Sequence, residues 1–123
     1  MGIVGHGVDI VDLKRLEIFI DDLCRRCFTQ SELQRAGNDS RRTARLAGCF
    51  AAKEAVLKAM GSGWTQGIAW TDIEVGHLAS GAPTIELRGR VAQQAKALGI
   101  SGWMVSISHD GDYAIGSVIA ISQ

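Results

Sequence analysis

The spacing of apolar positions changes several times along the chain, and each change marks an element. Residues 3–10 are apolar, β-branched and punctuated by glycine, which predicts a strand ending near Asp9. Leu13, Leu16, Ile20, Leu23 and Cys27 then recur every three or four positions, the period of one amphipathic helix with Asp12 as its N-cap. Thr29-Gln-Ser-Glu32 has the form of a capping box for a short second helix that should stop at Gly37. Asn38, Asp39 or Ser40 can cap a long third helix over residues 41–60, where Ala44, Ala47, Ala51 and Ala55 permit close packing. Gly61, Ser62 and Gly63 end it. Residues 73–75 and 84–87 read as strands around the turn Ser80-Gly81-Ala82-Pro83, and residues 91–98 as a fourth helix closed by Gly99. Residues 103–108 and 113–121 form a last hairpin around Asp110-Gly111. The order β-α-α-α-β-β-α-β-β predicts a single α+β domain over residues 1–123, with a mostly antiparallel sheet packed against a long central helix.

Composition narrows the class. A chain of 123 residues, 46% hydrophobic, buries about two-thirds of its unfolded surface, enough for one core and too little for two domains. No run approaches the ~18 apolar residues of a membrane span, and the start lacks the basic-then-apolar form of a signal peptide. Met1-Gly2 is followed at position 6 by His6, where a myristoylation motif takes Ser or Thr. A soluble cytoplasmic domain is expected. Thirteen basic and thirteen acidic residues cancel, which argues against a general nucleic-acid binder. Residues 25–58 nevertheless hold eight Lys/Arg against Glu32, Asp39 and Glu54. Such a stretch suits phosphates or an acidic partner, or is a solvated helical face. Cys24 and Cys27 have Cys-x-x-Cys spacing, but a zinc site needs a second ligand pair, and Cys49, His6, His77 and His109 are scattered. Helix cysteines, wholly or partly buried, are the simpler reading.

Candidate chemistry gathers at a few positions. Glu54 and Lys58 are four apart and share a helix face, so an ordinary surface ion pair is one reading. Phe50, Ala51 and Ala55 suggest a largely buried helix, where a glutamate needs a strong partner. The helix runs into Gly61-Ser62-Gly63, a loop able to approach a phosphate or to serve merely as a C-cap. Asp9, at a strand end, either braces the next segment or ligates a metal; carboxylates beside a diphosphate suit magnesium. His109 opens a hairpin, as a turn residue or a catalyst. His6 and His77 read as structural, and Trp64, Trp70 and Trp103 as core or interface.

Gly5-His-Gly-Val-Asp9-Ile10, Phe50-Ala-Ala-Lys-Glu-Ala55 and Ser106-Ile-Ser-His109, with the stretches Leu13-Lys-Arg15 and Thr29-Gln-Ser-Glu-Leu33, make the chain resemble the holo-(acyl-carrier-protein) synthases, the short 4′-phosphopantetheinyl transferases. The likeness covers nearly the whole chain. It implies transfer of the phosphopantetheine arm of coenzyme A to a serine of an apo acyl carrier protein, with release of adenosine 3′,5′-bisphosphate, in fatty-acid or polyketide synthesis. It implies Mg2+ on Asp9 and Glu54, and catalysis by Asp9, Glu54 and Lys58. Coenzyme A contacts fall on Arg41, Lys53, Lys58, Gly61, Ser62, Gly63, Pro83 and His109. Carrier docking falls on the basic first helix, with Arg15 as the key arginine beside Lys14, Arg25 and Arg26. Homotrimers with active sites between subunits are typical of the family, with no nucleic-acid or membrane partner.

Two positions depart from that pattern. Cys49 stands where a basic residue commonly precedes Phe-Ala-Ala-Lys-Glu-Ala, and Ala82 where a lysine usually separates glycine from proline. Arg42 or Arg45 can compensate. The general base for the serine is left open between a carboxylate and metal-bound water. A different class, a non-catalytic subunit of the same fold that binds a nucleotide or carrier protein, is the alternative; it would have no need of a magnesium site.

Overall fold

The computed structural model describes residues 1–61 and 67–123. Strand β1 (Gly2–Asp12) leads into two short helices, α1 (Leu13–Ile18) and α2 (Ile20–Arg26). Helix α3 (Gln30–Ala36) and the long helix α4 (Arg42–Met60) follow. After a 3-10 turn (Trp70–Asp72) come β2 (Ile73–His77), β3 (Pro83–Leu87), α5 (Gly89–Ala97), β4 (Gly102–Asp110) and β5 (Tyr113–Ser122). Strand β5 lies between β1 and β4 in an antiparallel three-stranded sheet, while β2 and β3 form a separate antiparallel pair. This is the expected α+β architecture, with its strands divided between two sheets.

Small residues let α4 sit at the centre. Ala51, Ala52, Ala55 and Ala59 are buried along it. A Cβ on Gly5 would overlap the Ala59 carbonyl oxygen, and one on Gly7 the Ala55 carbonyl oxygen. Gly116 of β5 meets the backbone of Ala51 and Ala52 in the same way. Helix and sheet therefore touch backbone to backbone, and any added methyl would have to push them apart. Because side chains alternate along a strand, the residue after Gly5 and Gly7 on this inner face is Asp9.

Three local outcomes differ from the sequence pattern. The predicted first helix breaks at Phe19, whose φ of −110° and ψ of 12° leave the helical region. Ile18, Phe19 and Ile20 place two β-branched residues and an aromatic in succession, a poor helix run. The apolar stripe survives the break, for Leu16, Ile20 and Leu23 all pack toward Ala47 and Phe50. Strand β1 extends past Asp9 because pairing continues from Asp9 opposite Gly116 to Asp12 opposite Tyr113. Helix α4 has Arg41 at its N-cap with no side-chain cap; Asp39 Oδ1 instead accepts the Arg41 N–H at 3.0 Å.

Candidate active site

Asp9, Glu54 and Lys58 come together at the β1 edge of the three-stranded sheet. Lys58 Nζ donates to Asp9 Oδ1 at 2.9 Å and to the Val8 carbonyl at 3.2 Å. The sequence spacing suggested a Glu54–Lys58 pair, but the lysine spans from helix to strand instead. Glu54 is half-buried, and burial first, then the negative charge of Asp9, raises its carboxyl above the usual range; Lys58 pulls it partly back. Two carboxylates thus act on each other with one ammonium bonded to Asp9, an arrangement that a divalent cation would relieve. Among the described residues no third His, Cys, Asp or Glu joins them. Two protein oxygens, with substrate oxygens and water for the rest, fit magnesium. The pair opens onto a cleft of ≈560 Å³ whose wall includes Arg15, Phe19, Phe50 and Tyr113.

Lys53 requires a correction. Its side chain is fully buried and forms a 2.7 Å ion pair with Glu32. It also donates to the carbonyls of Cys27 at 2.6 Å and Trp70 at 3.1 Å, so all three ammonium hydrogens are used. Glu32 in turn closes the capping box with Thr29 and accepts the Val75 N–H at 2.7 Å. A coenzyme cannot reach this lysine; it ties α4 to α3, the end of α2 and the 3-10 turn.

At the opposite edge lies a second cleft of ≈530 Å³, between α3, the start of α4, the β2–β3 pair and β4. Pro83 and His109 line it, as do Arg35, Arg45, Cys49 and His77. His77 Nδ1 is enclosed and has no hydrogen-bond partner among the described residues. Burial, then the charge of Arg35, holds the His77 ring below its usual pKa. Burial, then the negative charge of Glu32, pushes the Cys49 thiol well up, so it stays neutral. Neither Arg35 nor His77 carried a sequence signal for this cleft. His77 arrives through its register opposite Pro83, which only the β2–β3 pairing sets.

Of the remaining candidates, Arg41 is exposed at the start of α4 and does not line either cleft. Gly61 closes α4 in the left-handed region at φ 76°. Ser62 and Gly63 lie outside the described residues. Lys14 pairs with Asp112 at 3.4 Å, while Arg25 and Arg26 pair with Asp22 at 3.6 and 3.2 Å. Arg15 has no such partner among the described residues and borders the acidic cleft. The two clefts share no lining residue. Glu54 and Arg45 are nine positions apart on α4, which at about 100° per residue sets them on opposite sides of the helix.

The chain matches the model of the 4′-phosphopantetheinyl transferase superfamily over residues 5–118. It is 41% identical over 125 residues to the holo-(acyl-carrier-protein) synthase of Hydrogenovibrio crunogenus, covering 98% of each chain. It superposes on the crystal structure of the synthase from Neisseria meningitidis with a TM-score of 0.86 and 32% identity, covering 98% of this chain and 100% of that one. The Bacillus anthracis synthase in complex with CoA (3′,5′-ADP) gives a TM-score of 0.82 at 34% identity, with 98% of each chain covered. No helix among the described residues is long and apolar enough to cross a membrane.

Proposed function

We propose that this chain, which belongs to the 4′-phosphopantetheinyl transferase superfamily, transfers the phosphopantetheine arm of coenzyme A to a serine of an apo acyl carrier protein. The observation that carries the reading is the mutually repelling pair Asp9 and Glu54, with Lys58 bonded to Asp9, in a chain whose solved relatives include one in complex with CoA. The serine oxygen forms a bond to the pantetheine-bearing phosphorus, the bond from that phosphorus to the bridging oxygen breaks, and adenosine 3′,5′-bisphosphate leaves. The serine proton passes to a base. Asp9 and Glu54 would hold Mg2+, which when bound supplies positive charge to the diphosphate. The partly exposed Lys58 meets the charge that grows on the leaving bisphosphate, and such stabilisation dominates phosphoryl transfer. Coenzyme contacts are assigned to Arg41, Lys58, Gly61, Ser62, Gly63, Pro83 and His109, with Lys53 removed from that set. Lys14, Arg15, Arg25 and Arg26 receive the carrier, in a cytoplasmic enzyme of fatty-acid or polyketide synthesis.

The reading includes a homotrimer. Pro83 and His109 lie on the edge opposite Asp9 and Glu54, so a single copy offers two halves of a site that do not meet. A head-to-tail contact brings one edge of a copy to the other edge of the next and closes into a ring. Val8, Ile10, Met104 and Ile115 are all exposed on the sheet face away from α4, an apolar surface for that contact.

Mass spectrometry of apo carrier protein incubated with coenzyme A, Mg2+ and this protein tests the activity. A gain of one phosphopantetheine arm, lost with chelator and regained with Mg2+, is expected; no gain across several carriers overturns the reading in favour of a binding module. Asp9→Asn and His109→Ala chains, each inactive alone, should regain activity when mixed and reassembled. Failure of that complementation, with both variants folded, removes the shared site.

A further inference from the structure

We infer that Cys24 and Cys27 form a two-thiol site that hydroperoxides oxidise to a disulfide, with Cys24 attacking, Cys27 resolving and Arg42 positioning the first sulfur. The inference is independent of the coenzyme reading, and its three residues line neither cleft. Among the described residues no third ligand joins the two cysteines, so their Cys-x-x-Cys spacing does not build a zinc site. Redox chemistry needs only the two thiols.

Helix α2 carries Cys24 in its last turn, and Cys27 is its C-cap at φ −113° and ψ −17°. Residues three apart on a helix lie about 5–6 Å apart at Cβ, against about 3.5–4.5 Å in a disulfide, so a small inward shift of this turn closes the bond. Both thiols are free and pack in one apolar cluster with Phe28 and Leu46. They differ in access. Cys24 is half-buried, while Cys27 is 5% exposed; burial above all raises the Cys27 thiol, and Lys53 pulls it partly back. A reagent from solvent therefore meets Cys24 first.

A second observation comes from α4. Arg42, its first residue, donates from Nη2 to Cys24 Sγ at 3.6 Å. Its Nη1 is enclosed and has no hydrogen-bond partner among the described residues. A buried guanidinium N–H is costly to leave without an acceptor. An oxygen added to Cys24 Sγ, one bond beyond the atom that Nη2 already holds, supplies that acceptor, and both prongs of the guanidinium then hold the oxidised sulfur. In the first step the Cys24 thiolate attacks one peroxide oxygen. The O–O bond breaks, and the departing hydroxide takes up the thiol proton as water, leaving a sulfenic acid. The Cys27 sulfur then attacks the Cys24 sulfur, the S–O bond breaks, and that oxygen leaves with the Cys27 proton as a second water. The two thiols lose two electrons, and the peroxide is reduced to two waters.

Hydrogen peroxide treatment of the purified chain, read by intact mass and by mapping of alkylated peptides, tests the site. The expected product has lost two hydrogens and keeps Cys49 as a free thiol. Trypsin cuts after Arg25 and Arg26, so a cross-linked pair of peptides reads the Cys24–Cys27 bond directly, and dithiothreitol should reverse it. In Cys27→Ala, or in Cys27→Ser where alanine does not fold, the reaction should stop with one oxygen on Cys24, trapped by dimedone. Cys24→Ser should leave Cys27 reduced. Arg42→Met should slow oxygen addition to Cys24 about tenfold or more at an unchanged melting temperature, with Arg42→Lys between. Oxidation of Cys24 no faster than of Cys49 overturns the inference. So does a bond that includes Cys49, or a parent chain that adds oxygen to Cys24 and forms no disulfide. Equal rates in the parent and both Arg42 variants overturn the positioning role of Arg42.

Discussion

Helix α4 carries two lysines five positions apart, and each holds a carboxylate from a distant segment. Lys53 meets Glu32 at 2.7 Å with the two side chains 0% and 1% exposed. Lys58 meets Asp9 at 2.9 Å with exposures of 51% and 16%. Charge and distance are nearly the same, and the surroundings are opposite. Water has been removed from the first pair, so its charges are committed to each other and to neighbouring backbone groups. The second pair keeps a solvated ammonium beside a half-buried acid, which leaves charge available to a ligand. Access, rather than contact distance, separates the sealed pair from the one a ligand can reach.

Breaking the buried pair should produce the largest effect. Lys53→Met strands a buried carboxylate and should cost about 3–5 kcal/mol in urea denaturation. The double variant Lys53→Met/Glu32→Gln should recover part of that loss, and a cost below about 1 kcal/mol for the single change would show the pair to be an ordinary surface contact. Lys58→Ala should do the reverse. Turnover falls roughly 100-fold or more while the melting temperature hardly moves, and the KM for coenzyme A changes less than kcat. A weakened KM at unchanged turnover would make Lys58 a substrate anchor only.

Smaller effects sharpen the contrast. Arg15→Glu should raise the carrier KM severalfold, leave the coenzyme KM nearly unchanged and flatten the salt dependence, since an exposed rim charge acts mainly on encounter. Equal effects on both substrates would point to a folding or assembly defect. Glu54→Gln tests the cost of the half-buried acid. Because the folded protein holds the Glu54 carboxyl above its ordinary range, folding favours the protonated form. Its contribution is fully present below the unfolded pKa and is lost as pH rises through the folded one. Thermal melts without divalent cation should therefore show Glu54→Gln gaining on the parent chain as pH rises toward neutrality, with no gain at acid pH. Parallel curves at every pH would mean that Asp9 and burial do not act on Glu54.

Local chemistry made much of this molecule readable in advance. The Asp12 cap and the Thr29–Glu32 capping box form as their side chains require. The Asp110-Gly111 hairpin forms too, with Gly111 at φ 56°. Legibility stops where a residue's partner comes from afar. Glu32 fulfils its capping role and also pairs with Lys53, twenty-one positions on, and nothing within either helix announces that. Lys58 has an eligible acid one turn away and instead bonds Asp9, forty-nine positions earlier. The break at Phe19 lies inside an unbroken apolar stripe, so periodicity alone does not expose it. The placement of the two clefts on opposite edges follows from strand order, which no local pattern encodes.

The contact between Gly5 and Gly7 of β1 and the Ala55 and Ala59 carbonyls of α4 acts as a mechanical stop. The spacing of Asp9 from Glu54 and Lys58 is gauged by two main chains pressed together, one carrying the first and the other the latter two. Substitutions in the cleft walls leave that gauge unaltered. A single methyl at Gly7 would alter it at once. The walls of such a cleft are free to vary, while the spacing of its charged groups stays fixed.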